Sequence, residues 1–176
     1  MPRAALAILS TILVVLFGVP AFAASTDAEL ATKTYVLNAA MCELFGVESG
    51  KLGQEKASDP AIREFGKVMV EDHTKSGAKL REVITTLQLE SQMPKALDKE
   101  HQHRLQELSE VERLAFDREF LSMQIKGHEA ALALHQAYAN TGPDEPVRAI
   151  AADAAKLIER HLIVLRRIKN LPAGGA

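Results

Sequence analysis

Helical periodicity is the feature that most constrains this chain. Apolar side chains recur every three to four positions through four long stretches, and no stretch alternates in the way of a half-buried strand. Four amphipathic helices bury their apolar stripes most simply by packing against one another. The pattern therefore predicts an all-α protein with the architecture of a four-helix bundle.

Capping and turn residues place the ends of these helices. We predict helices over residues 27–57, 60–86, 109–140 and 147–170. Their expected apolar stripes are Leu30, Leu37, Met41, Leu44 and Leu52; Ile62, Phe65, Met69, Leu80 and Ile84; Leu114, Leu121, Ala131 and Tyr138; and Val147, Ile150, Ala154, Leu157, Leu165 and Ile168.

A long connection joins the second and third predicted helices, from Gln88 to a capping box formed by Ser109 and Glu112. A short helix is expected within it, at 97–108. A simple hairpin needs only about 2 to 8 residues. This connection reaches about 53 Å, against about 40 Å for the second helix. It is therefore long enough to cross the bundle and make the third helix parallel to the second, as in ferritin-like folds, although a plain up-and-down bundle stays open.

The first 23 residues have the pattern of a secretory signal. Arg3 precedes an apolar run over 6–19, and Ala21-Phe22-Ala23 supplies the small residues of a cleavage site. The run is shorter than the roughly 20 residues that a membrane span needs. We therefore expect cleavage after Ala23, export to a bacterial periplasm and no membrane span in the mature chain.

The remaining chain is expected to form one domain over 24–172, followed by a flexible tail over 173–176. The charges of the full sequence nearly balance, with 21 Lys and Arg against 23 Asp and Glu, so the protein lacks the broad basic face that nucleic acid requires. The single cysteine, Cys42, cannot form an internal disulfide.

Polar side chains interrupt the apolar stripe of every predicted helix. One on each helix is spaced three or four positions from a stripe residue: Glu48, His73, Asp117 and His161. An unpaired buried carboxylate or imidazole costs several kcal/mol, so these groups are expected to meet one another, a water or a metal ion. At about 1.5 Å per residue, all four share one layer if the connection crosses the bundle, whereas His128 replaces Asp117 in a plain up-and-down bundle.

Carboxylate and imidazole donors together suit one divalent ion of iron, manganese or zinc. Nearby methionine and cysteine sulfur atoms would suit copper, which is the less favoured ion. The predicted ligands are Glu48, His73, Asp117 and His161, with His128 as the alternate. Without a metal, the carboxylates would instead hydrogen-bond the histidines in a buried polar cluster that fixes the helix register.

Taken together, these residues resemble the bacterial domain-of-unknown-function 4142 family, whose members are exported and grouped with the ferritin-like helical bundles. The resemblance covers about residues 30–168 and depends on Glu48 with Leu52, Met69–His73, Phe116–Leu121 with His128, and His161–Leu162. It implies a periplasmic four-helix fold and brings no established reaction.

The wider ferritin-like group includes di-iron proteins with Glu-x-x-His on two helices, where the Glu bridges the metals. Val70 and Ile158 occupy those positions before His73 and His161. We therefore expect at most one ion and no enzymatic activity. The expected function is metal binding or envelope stress protection by sequestration, and the alternative is a metal-free structural or interaction module with an envelope protein partner.

Overall fold

The computed structural model describes residues 21–89 and 93–170, which form five α-helices and no strand. The helices are α1 (Ala21–Lys56), α2 (Pro60–Thr86), α3 (Lys99–Glu110), α4 (Arg113–Thr141) and α5 (Glu145–Asn170). The prediction of an all-α protein is confirmed, including the short helix in the long connection. The expected signal and tail lie outside the described residues, apart from the last three signal positions. Within the described part, no helix is both long enough and apolar enough to cross a bilayer.

The core-facing sides of α2 and α5 follow the predicted stripes. Asp59 caps α2 by accepting a hydrogen bond from the Ala61 N–H at 2.7 Å, and Pro60 occupies the first turn. All five predicted stripe residues of α2 are buried. Those of α5 are buried except for Ile150, which is half-buried. Clear amphipathicity therefore identified the correct faces of these two helices.

The predicted stripe of α1 is not its most buried face, although Met41, Leu44 and Leu52 are half-buried. Leu30 and Leu37 are 63% and 45% exposed. The buried face of α1 is formed mostly by small residues instead. The buried positions include Thr32, Tyr35, Val36, Ala39, Ala40, Glu43, Gly46, Ser49, Gly50 and Gly53. The glycines permit close packing, since a Cβ added to Gly50 would lie 2.8 Å from the carbonyl oxygen of Gly66 in α2. Large apolar side chains would hold these two helices apart.

The start of α4 also differs from its prediction. Ser109 lies in α3, where its hydroxyl donates to the Gln106 carbonyl oxygen at 2.7 Å. Glu112 is the N-cap of α4 but makes no side-chain capping bond, so the predicted capping box is absent there. Leu114, the first residue of the expected stripe, is fully exposed.

Contacts at both ends of the helices fix the direction of α4. Asp117 accepts hydrogen bonds from the backbone N–H groups of Ser58 and Asp59, at the start of α2, at 2.9 Å each. At the other end, Leu80 of α2 packs in one cluster with Tyr138 of α4. Helices α2 and α4 therefore run parallel, and the connection that contains α3 crosses their length.

The long helices pack as two hairpins. The most extensive contacts are those of α1 with α2 and of α4 with α5. The hairpins meet through smaller contacts of α2 with α5 and of α1 with α4. This seam between the hairpins is where the polar side chains of the interior collect.

Candidate metal centre

Three buried imidazoles meet at the seam. His73 of α2, His128 of α4 and His161 of α5 are 4%, 5% and 2% exposed. Each offers one ring nitrogen, and these three atoms lie within 4.8 Å of one another. The ring centroids are 5.3 to 6.0 Å apart. Three of the predicted ligand residues are therefore brought together.

The other nitrogen of each ring faces a hydrogen-bond acceptor. The pairs are His73 Nδ1 with Glu43 Oε2 at 2.8 Å, His161 Nε2 with Asp72 Oδ2 at 3.1 Å, and His128 Nδ1 with the Gln124 carbonyl oxygen at 2.8 Å. A neutral imidazole has one N–H, and carboxylates and carbonyls only accept. The proton of each neutral ring therefore lies on this outer nitrogen, and the inner nitrogen keeps a lone pair.

The inner nitrogens lack donors. His128 Nε2 lies 3.2 Å from His161 Nδ1, so two lone pairs face each other at hydrogen-bond distance with no proton between them. The third, His73 Nε2, is buried without a hydrogen-bond partner. Unpaired buried acceptors are unfavourable, and a cation among the three nitrogens would satisfy them together.

Burial favours the neutral form of two of these rings, His128 and His161. Desolvation lowers the pKa of His128 from 6.5 to about 3, and the neighbouring His73 and His161 add to the effect. Desolvation also lowers the pKa of His161, although the hydrogen bond to Asp72 opposes this. Neutral imidazole is the form that ligates metals, so protons compete weakly for these two rings at neutral pH.

Comparison with known proteins gives a family. Residues 18–168 match the family described as Domain of unknown function (DUF4142). The chain belongs to this family. No curated protein and no solved structure is significantly similar to it. The predicted family is thus confirmed, and the three histidines lie within the part of this DUF4142 chain that matches.

Glu48 lies away from the histidines of this DUF4142 protein, contrary to prediction. Its side chain is 46% exposed and pairs with Lys51 at 2.7 Å. Glu43 contacts the histidine cluster from α1 instead, with Oε1 accepting from Ser76 Oγ at 2.6 Å and Oε2 facing His73. At about 100° per residue, positions 43 and 48 point to nearly opposite sides of α1. Once small residues are taken as the buried face, Glu43 falls on it, four positions after Ala39.

Asp117 is also absent from the cluster, because it caps the start of α2. The prediction assumed that Ser109 lies level with the start of α2 along the bundle axis. In the structure Asp117 itself lies at that level, beside Ser58 and Asp59. His128 lies about 17 Å farther along α4, and His73 about 21 Å beyond Asp59 along the parallel α2. The crossing connection therefore brings in His128, which the sequence argument had assigned to the other topology.

Three further buried or partly buried polar residues surround the site. Asp72, which holds His161 and is 32% exposed, follows the stripe residue Met69 by three positions, but the sequence analysis selected its neighbour His73 at the four-position spacing. Gln124 is 2% exposed, and its Nε2 has no hydrogen-bond partner. His135 shares the inward face of α4 but pairs with the Tyr35 hydroxyl at 3.0 Å instead.

Proposed function

We propose that this DUF4142 protein binds one divalent metal ion through His73 Nε2, His128 Nε2 and His161 Nδ1. The proposal depends on one observation: three unprotonated ring nitrogens converge, because the proton of each ring lies on its other nitrogen, which faces a hydrogen-bond acceptor. A buried polar cluster without a metal would place protons between its members. Here the inner atoms are all acceptors.

Zinc is the ion that we propose. Imidazole nitrogen suits zinc, copper, iron and nickel, but the common non-haem iron site combines two histidines with a carboxylate, and manganese favours carboxylate oxygen. The predicted carboxylate ligands Glu48 and Asp117 lie elsewhere, which disfavours iron and manganese here. Three protein ligands leave the fourth tetrahedral position open. Zn–N bonds of about 2.0–2.1 Å place tetrahedral ligand atoms about 3.4 Å apart, so binding would draw the His73 ring toward the other two.

Two carboxylates support the proposed site. Glu43 and Asp72 accept the outer N–H bonds of His73 and His161, which orients the rings and raises their basicity as ligands. Their two negative charges balance a divalent cation. The Glu43 side chain is buried, with 7% exposed, and a cation bound nearby would compensate the cost of burying its carboxylate.

We further propose an exported, periplasmic bundle of ferritin-like arrangement that sequesters its ion without catalysing a reaction. The signal-like pattern of residues 1–23 supports export, and the connection crossing from α2 to α4 supports the arrangement. Di-iron catalysis is the activity that the sequence argues against, because Val70 and Ile158 occupy the places of the bridging carboxylates.

Metal analysis of the purified protein tests the proposal. We expect one zinc ion per chain, lost in His128→Ala and His161→Ala but retained in Glu48→Gln and Asp117→Asn. Zinc at a hundred times its Kd should raise the free energy of unfolding by about 2.7 kcal/mol. If zinc, copper, iron and manganese all left the melting temperature unchanged, the result would contradict metal binding and favour the metal-free interaction module.

A further inference from the structure

A cavity of about 570 Å³ reaches the histidine cluster from the side of α3 and the residues before it. Much of its lining is apolar, including Leu37, Met41, Phe45, Met69, Leu134 and Ile158. Cavities of about 300–1,000 Å³ with mainly apolar walls and a few placed polar groups are typical of small-molecule sites.

Four polar side chains of the lining form two pairs of different character. Those near solvent are already paired, His101 with Asp98 at 2.7 Å and Arg104 with Glu100 at 2.9 Å. The deeper set is not. The side chains of Gln124 and His73 line the cavity, and the Nε2 atom of each is buried without a hydrogen-bond partner.

These two unpaired atoms have opposite hydrogen-bonding character. Gln124 Nε2 is an amide donor, whereas His73 Nε2 is an acceptor because the proton of that ring points to Glu43. A hydroxyl group accepts from the first and donates to the second. A carboxylate offers no proton and would lie near the Glu43 and Asp72 carboxylates, and a hydrocarbon satisfies neither atom.

We propose that the cavity binds a small, mostly apolar alcohol or phenol, with its hydroxyl group at the end lined by Gln124 and His73. For the metal-bound protein this inference rests on the proposed function, because the hydroxyl oxygen would then take the open fourth position of the ion. Without the ion, the hydroxyl donates to His73 Nε2. Gln124 is not a proposed metal ligand, so its substitution tests the cavity alone.

Calorimetric titration with phenol, toluene and benzoate tests this inference, with the full protein in chelator and again with zinc. We expect phenol to bind about three- to tenfold more tightly than toluene, and benzoate to bind the metal-free protein least. Gln124→Met should bring phenol to the toluene affinity while leaving toluene and zinc binding unchanged. Gln136→Met, an exposed glutamine on the same helix, is the matched control and should change none of them.

Equal affinities for phenol and toluene, tighter binding of benzoate in chelator, or no binding of any of the three would overturn the inference. Unchanged phenol binding in Gln124→Met would overturn it as well. Zinc binding without a preference for phenol contradicts the cavity proposal alone, and a preference for phenol without zinc binding contradicts the metal proposal alone.

Discussion

Acidification should destabilise the metal-free protein, and His128 allows this effect to be isolated. Its pKa is lowered to about 3 in the folded protein, mainly by burial, and stays near 6.5 in the unfolded chain. Below pH 6.5 the unfolded state therefore binds a proton that the folded state does not. The stability is complete above about pH 6.5 and is lost progressively as the pH falls toward 3.

The size of the effect follows from these two values. Between about pH 7.5 and about pH 5, His128 alone should lower the free energy of unfolding by about 2 kcal/mol. Because pH 5 is well above the folded pKa of about 3, the result depends almost entirely on the ordinary value for the unfolded chain. Burial also lowers the pKa values of His135 and His161, so the whole protein should lose more.

Urea denaturation in chelator at the two pH values measures this loss. In His128→Asn, the difference between the two pH values should shrink by about 2 kcal/mol relative to the unsubstituted protein. His103→Asn makes the same change at a side chain that is 68% exposed, and it should leave the difference unaltered. If His128→Asn retained the full pH dependence, our account of a neutral, desolvated ring would be refuted.

Three substitutions test the packing and capping described above, each by urea denaturation at neutral pH. Gly127→Ala should raise the free energy of unfolding by about 0.5–1 kcal/mol, because an added Cβ meets no atom within 4 Å and alanine favours the helix; no gain would contradict this. Gly46→Ala should lower the free energy of unfolding, since the added Cβ would lie 2.4 Å from His73 Cγ. Unchanged stability would show that the His73 ring can move freely. Asp117→Ala should lower the free energy of unfolding by about 1–2 kcal/mol, because two backbone N–H groups lose their acceptor. The zinc stoichiometry should not change. Loss of zinc in this variant would show that Asp117 is a ligand after all.

The parts of the fold that sequence predicted are those where large apolar side chains mark the core. Helices α2 and α5 have such stripes, and their inward faces match the prediction. Helix α1 does not, because close packing on α2 selects glycine at positions 46 and 50, and the Phe120 ring of α4 fills the space beside Gly53. Counting large apolar residues there selected a face that is exposed at Leu30 and Leu37 and half-buried farther along. This choice placed Glu48 in the predicted site instead of Glu43.

The candidate site was predictable in its histidines but not in its carboxylates. His73 and His161 lie on clear stripes, so their burial followed from periodicity. Choosing between Asp117 and His128 required the relative height of α4, which is fixed by the Asp117 bonds to the start of α2 rather than by any local signal. Tertiary contacts of this kind cannot be read from one helix at a time.

The seam between the two hairpins gives the proposed ion a mechanical role as well. His73 belongs to the first hairpin, while His128 and His161 belong to the second, and direct contact between the hairpins is modest compared with contact inside each. An ion shared by the three rings would add a cross-link to the apolar clusters that already join the two halves. Metal loading would thus be coupled to the cooperativity with which the halves unfold, and removal of the ion would favour their separation.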